Sequence, residues 1–148
     1  VTALDFSAEM LHLAADKIDP SRVNLQKADI TQPWDVPDES FDLISCNLTL
    51  EHIGQLDPVF EQACRKAVAG GWFFVSELHP YKQYMGSKAR FDSGDNGVHV
   101  LEVYQHHLSD YLRSAKRHGF TITEIEEWFD HEAQVNIPRL ITFIFKKP

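Results

Sequence analysis

Apolar and polar positions alternate along the chain in a way that predicts strand, helix, strand, helix, strand. Val1-Thr2-Ala3-Leu4 predicts a first strand that ends in Asp5. Ser7 predicts a helix cap, because its hydroxyl can accept from the free amides of a first turn. Met10 to Lys17 follows as a helix, with Met10, Leu13 and Ala14 on one face. Asp19-Pro20 ends it, since proline disfavours a helical residue before it. Val23 to Lys27 alternates as a strand and runs on to Ala28-Asp29-Ile30, and Phe41 to Asn47 is the next strand. Asp57 suits a helix cap and Pro58 a first helical position; Val59, Ala63 and Ala67 form the inward stripe, and Gly70-Gly71 is expected to stop the helix. The unbroken apolar run Trp72-Phe73-Phe74-Val75 predicts a strand buried on both faces.

From His79 to Gln105 the pattern breaks into a long stretch rich in aromatic and charged residues. A connection of that length in a compact domain is expected to be a lid or substrate insertion, residues 79–105. Within it, Val98 to Tyr104 fits a helix or a strand equally. Leu108 to His118 predicts a helix burying Leu108, Tyr111, Leu112 and Ala115 and ending at Gly119. Thr121 to Trp128 and Leu140 to Phe145 alternate like two strands of an antiparallel hairpin. The fold class is therefore α/β with parallel strands and crossover helices, residues 1–148 forming a single domain.

Charge narrows the partners. Fourteen basic against 22 acidic side chains give a formal net charge of −8, a field that repels nucleic acid and anionic membranes. No apolar run is long enough for a membrane span. A small molecule is the expected partner. Cys46 and Cys64 are read as two buried thiols of a cytoplasmic protein, not as a disulfide framework, and no paired-cysteine zinc pattern is present. His79, His99, His106 and His107 lack helical ligand spacing, so no metal site is expected. His12, His118 and His131 read as surface residues.

Candidate chemistry sits where strands end. In an open α/β sheet, ligands bind beyond the carboxyl ends of strands. An ionised carboxylate there has two acceptor oxygens for the two donors of a ribose diol. Asp5 stands at such an end with Phe6 beside it to lie against a base, although the same residues also suit an ordinary β-turn-α junction.

Four blocks then stand in a telling order: Val1-Thr2-Ala3-Leu4-Asp5-Phe6-Ser7-Ala8-Glu9-Met10-Leu11, Ala28-Asp29-Ile30, Ser40 to Ile53, and Ala69-Gly70-Gly71-Trp72-Phe73-Phe74-Val75-Ser76-Glu77. Together they resemble the class I S-adenosylmethionine-dependent methyltransferases, in particular the small-molecule type 11/12 group. The resemblance implies a Rossmann-like, doubly wound, mostly parallel sheet with a C-terminal antiparallel hairpin. It also implies S-adenosylmethionine as cofactor, S-adenosylhomocysteine as product, and a small-molecule methyl acceptor. The family opens with a strand and a glycine-rich loop that have no counterpart ahead of Val1. The chain is thus expected to be truncated at the N-terminus, binding cofactor poorly alone or repairing the gap through a neighbouring chain, with a homodimer left open.

The roles follow from the resemblance. Asp5 would take the ribose hydroxyls, Phe6 and Met10 would line the adenine, and Ala28, Asp29 and Ile30 would meet its amino edge. Asn47 and Leu48 would face the methionyl moiety. Methyl transfer is an in-line displacement that needs near-attack positioning, exclusion of water and, for a protic acceptor, a base. His79 and His52 are the candidate bases. Tyr81, Tyr84 and Phe91 would wall the acceptor, Lys88 and Arg90 could hold an anionic group on it, and His107 is either an acceptor contact or a helix cap. Two other readings stand beside this one: a non-catalytic methyltransferase-like binding domain, and a nicotinamide-dependent Rossmann oxidoreductase, which also ends a strand in a ribose-binding acid.

Overall fold

The computed structural model describes residues 1–86, 90–92, 98–100, 103–129 and 136–148; for residues 90–92 and 98–100 it defines the backbone course only. The chain folds as two compact units, Val1–Val36 and Pro37–Pro148.

In the first unit, β1 (Thr2–Asp5) leads into α1 (Ala8–Ala15) and on to β2 (Asn24–Lys27), which lies parallel to β1 with Asp5 opposite Lys27. Ser7 caps α1 as expected, its hydroxyl accepting from Met10 N–H at 3.2 Å. The helix buries none of its side chains, and Met10 and Leu13 are more than half exposed. Its apolar face is therefore not the inward stripe that the spacing predicts.

The second unit is built on a four-stranded sheet ordered β3-β4-β8-β7: Phe41–Asn47, Ala67–Leu78, Pro138–Lys146 and Thr121–Phe129. β3 and β4 are parallel, and β7 and β8 form an antiparallel hairpin, as the alternation predicts; β8 also pairs antiparallel with β4. The two parallel pairs belong to separate sheets. Helices α2 (Asp57–Lys66) and α4 (Leu108–Arg117) supply the other half of a core rich in aromatic rings. Phe60 of α2 meets Phe73 and Phe145 edge-on, at 5.2 and 5.4 Å between ring centroids, and Tyr111 of α4 stacks on Phe143 at 4.9 Å. Between them lie the short α3 (Tyr81–Tyr84) and a two-stranded ladder of β5 (Arg90–Asp92) and β6 (Val98–Val100), so the ambiguous segment begins as a strand.

Four expectations are corrected. Gly70-Gly71 does not stop α2; the helix ends at Lys66, and both glycines lie inside β4. Phe41 pairs with Ala67 but Leu43 with Trp72, so a bulge of Val68 to Gly71 interrupts the ladder. Gly70 takes φ +77, and a Cβ on Gly71 would meet the carbonyl oxygens of Val68 and Phe41 at 2.9 and 3.2 Å. The glycines are needed by the bulge, where positive φ and close backbone approach exclude a side chain. The apolar run is not buried on both faces either: Phe73 and Val75 are fully buried, whereas Trp72 is exposed and Phe74 half-buried. Asp57 lies within the helix, not at its cap, because its carboxylate is drawn to α4: it accepts from Ser114 Oγ at 2.8 Å and pairs with Arg117. His118 is tucked in against the same carboxylate, Nε2 at 3.4 Å, so it is not a plain surface residue. Among the described residues, no helix is long and apolar enough to cross a membrane.

Candidate functional site

In the first unit, the carboxyl ends of β1 and β2 lie side by side, since Ala28 N–H extends the parallel ladder by donating to Asp5 C=O at 2.9 Å. Each strand end turns through an aspartate. Asp5 Oδ1 accepts from Ser7 N–H at 2.7 Å. Asp29 Oδ1 accepts from the Thr31 hydroxyl at 2.7 Å and from Thr31 N–H at 2.9 Å, which together hold its carboxyl below the usual carboxylate range. In both residues one oxygen fixes the turn, and the other has no hydrogen-bond partner among the described residues. Phe6 follows Asp5 with its ring 75% exposed, and Met10 stands over the first turn of α1, also exposed. A bare ring beside a half-used carboxylate is a surface suited to a flat, polar-edged ligand. Ile30 is held by Trp34, whose Nε1–H donates to Ile30 C=O at 2.9 Å. The structure thus brings Asp5, Ala28 and Asp29 to one edge of one small sheet.

In the second unit, Asn47 lies opposite Ser76 at the carboxyl end of β3, and Leu48 N–H donates to Ser76 C=O at 2.9 Å. Leu48 has φ +51, rare for a side chain of that size. Beyond it, the N–H groups of Thr49 and Leu50 both donate to Glu77 Oε1 at 3.0 Å. Glu77 is 1% exposed, and burial pushes its carboxyl up to about 7 against the pull of those amides. Burial, reinforced by the charge of Glu77, pushes the neighbouring Cys46 thiol up to about 12, so it stays protonated. Sequence reasoning quoted Glu77 only as the end of a block; the available signal was an acidic residue in an otherwise apolar strand.

His79 lies one residue beyond the end of β4, almost buried. Its Nδ1 accepts from Tyr81 N–H at 3.1 Å, and its Nε2 stands 2.9 Å from Glu127 Oε1 on β7. Nδ1 is therefore engaged, whereas Nε2 faces the Glu127 carboxylate without forming a hydrogen bond among the described residues; Glu127 is a neighbour that sequence reasoning missed. Two predicted acceptor contacts do come together: Tyr84 and His107 stack at 5.5 Å, with Tyr84 Oη 3.1 Å from His107 Nδ1. His107 also occupies the cap of α4, its N–H donating to Asp110 at 2.7 Å. Tyr81 is exposed beside the start of α3, and His52 lies 3.8 Å from Glu51 in the 3-10 turn Leu50–His52. His106 faces Ile53 C=O at 2.7 Å. A cleft of about 390 Å³, which His106 helps to line, lies between Gly54–Asp57, Tyr104–His106 and Asp110 and Ser114 of α4. Lys88 lies outside the described residues; Arg90 and Phe91 are placed by backbone on β5, Phe91 opposite His99. Among the described residues no cluster could hold a metal ion.

Comparison with known proteins gives a consistent picture. A family model described as a methyltransferase domain matches residues 1–75. A mitochondrial ubiquinone biosynthesis O-methyltransferase of Candida albicans is 22% identical over 136 residues, which cover 90% of this chain. The chain spans 38% of the length of that relative. Solved S-adenosylmethionine-dependent methyltransferases share the fold. One from Mesorhizobium loti superposes with a TM-score of 0.79 at 19% identity, covering 99% of this chain and 79% of that one. One from Clostridium acetobutylicum superposes with a TM-score of 0.77 at 18% identity, covering 98% of this chain and 74% of that one.

Proposed function

Because the chain belongs to the methyltransferase domain family, we propose that it serves in transfer of a methyl group from S-adenosylmethionine to a small-molecule acceptor, with S-adenosylhomocysteine as product. The observation that carries this reading is Asp5 at the carboxyl end of β1. One of its oxygens is spent on Ser7 N–H, the other has no hydrogen-bond partner among the described residues, and the exposed Phe6 ring stands next to it. That arrangement fits an adenosine: a diol for the carboxylate, a π face for the ring. Met10 extends the apolar surface, and Ala28, Asp29 and Ile30 offer an acceptor and backbone groups to the base edge.

When bound, the donor supplies an electrophilic methyl on a sulfonium, so the chemistry asks the protein mainly to hold and to desolvate. Asn47 and Leu48 are assigned to the methionyl end, and residues 79–105 to the acceptor as its lid. Within that stretch Tyr81, Tyr84, Lys88, Arg90 and Phe91 choose the acceptor, with His107 held against Tyr84. Of the candidate bases, His52 has the more accessible ring, at 42% exposure against 8% for His79. The lone pair of His79 Nδ1 is occupied by Tyr81 N–H, so this contact favours anchoring the start of α3. The oxidoreductase reading finds no support in the family match, and a binding domain without turnover is what the acceptor screen below would reveal.

The test is calorimetric titration with S-adenosylhomocysteine. Asp5→Asn keeps the turn and removes the charge; hydrogen bonds to a charged group contribute about 1.5–3 kcal/mol each, so affinity should fall roughly 10- to 100-fold. Equal affinity in the parent chain and Asp5→Asn would overturn the assignment. Screening small hydroxyl, amine and thiol acceptors for turnover then separates enzyme from binding domain.

A further inference from the structure

Glu77 is expensive to bury and plays no part in the reaction outlined above. A carboxyl group with 1% exposure, opposite the fully buried Ile141 of β8, is tolerated only where its hydrogen bonds are needed. Its Oε1 takes two backbone N–H groups, from Thr49 and Leu50, at 3.0 Å each. Its Oε2 has no hydrogen-bond partner among the described residues. The segment it holds is short and strained. Leu48 sits at φ +51, a conformation that costs a bulky residue free energy and persists only when the surroundings over-determine it. Two contacts do so: Leu48 N–H on Ser76 C=O before the turn, and Glu77 after it. Both partners are on β4, which is locked in place between β3 and β8.

We propose that Glu77 is a positioning residue: it clamps the first N–H groups of the Leu50–His52 turn and so fixes the backbone of Asn47 and Leu48 in the geometry that receives the methionyl end of the donor. This rests on the assignment of Asn47 and Leu48 made above. The carboxyl oxygen accepts in either protonation state, so the clamp persists across neutral pH. An aliphatic side chain at position 77 would suit the core but leave two amides unpaired, and the strained turn would relax.

The experiment compares the parent chain with Glu77→Leu, Glu77→Asp and Glu77→Gln. Amide exchange over residues 47–52 is measured without ligand, and S-adenosylhomocysteine affinity by calorimetry. In Glu77→Leu the amides of Thr49 and Leu50 should exchange at least tenfold faster and affinity fall at least tenfold, with the near-ultraviolet circular dichroism of the aromatic core retained. Glu77→Gln keeps a side-chain oxygen in place and should restore both to within about threefold of the parent. Glu77→Asp withdraws the oxygen by one methylene and should behave like Glu77→Leu, which keeps the proposal testable if the leucine variant does not fold. Parent-like exchange in Glu77→Asp overturns the clamp; fast exchange with parent-like affinity overturns its link to the ligand. If neither the parent chain nor one extended upstream binds S-adenosylhomocysteine, the donor assignment fails, while exchange at Thr49 and Leu50 still decides the clamp.

Discussion

Glu77 carries a second consequence, in the pH dependence of stability. Burial raises its carboxyl from an ordinary 4.5 to about 7. The folded chain therefore holds a proton that the unfolded chain has released. Below pH about 4.5 both states are protonated and the contribution is complete; between there and pH 7 it is lost; above pH 7 both states are ionised and the full penalty of a buried charge remains. The shift corresponds to a loss on the order of 3 kcal/mol. Glu77→Gln removes it, so the stability of this variant relative to the parent should rise by about that amount between pH 5 and pH 8.5 in urea unfolding. A constant difference across that range would show that the carboxyl titrates normally. Sequence reasoning could place Glu77 in a strand, but its protonation depends on what closes over it: Ile141 opposite it on β8 and the amides at the start of the 3-10 turn. Asp5 is the opposite case. A carboxylate at the first strand end, one residue before a ring and two before a serine cap, is visible as such in the chain, because all its partners are local.

At the scale of the element, β4 shows how the same residues serve two descriptions. Gly70-Gly71 after an amphipathic stripe suits a helix stop, yet the helix has already ended at Lys66, whose Nζ pairs with Asp38 at 2.7 Å. The glycines instead bond to the end of the sheet: Gly70 N–H donates to Lys147 C=O, and Lys147 N–H to Gly71 C=O, both at 2.9 Å. A helix stop would tolerate alanine at position 71; this bulge would not, because the added Cβ lands 2.9 Å from one backbone oxygen and 3.2 Å from another. Gly71→Ala should therefore lower stability by about 1–3 kcal/mol in urea unfolding. An unchanged midpoint would return the glycine to a helix-stop role. The β7–β8 hairpin forms as its alternation suggests, although the ladder shifts register between Ile122 and Glu124 and between Trp128 and Phe129.

For the whole molecule, the net charge of −8 sets a bound on partners. That field opposes a phosphate backbone, so no binding to duplex DNA or RNA should be detectable at physiological salt by fluorescence anisotropy; saturable binding there would show that a local basic patch, with Lys88 and Arg90 as its candidates, overrides the net charge. Composition, the strand and helix alternation and the acid at the first strand end were determined by the sequence alone, because each depends on residues within one turn or one strand of each other. The tertiary structure decided the rest. It joined Tyr84 to His107 and His79 to Glu127, pairs separated by 23 and 48 positions, and it set the clamp between Glu77 and the turn after β3. Such contacts form only when strands distant in the chain take a common register, and the spacing of residues along one strand carries no record of which neighbour it will meet.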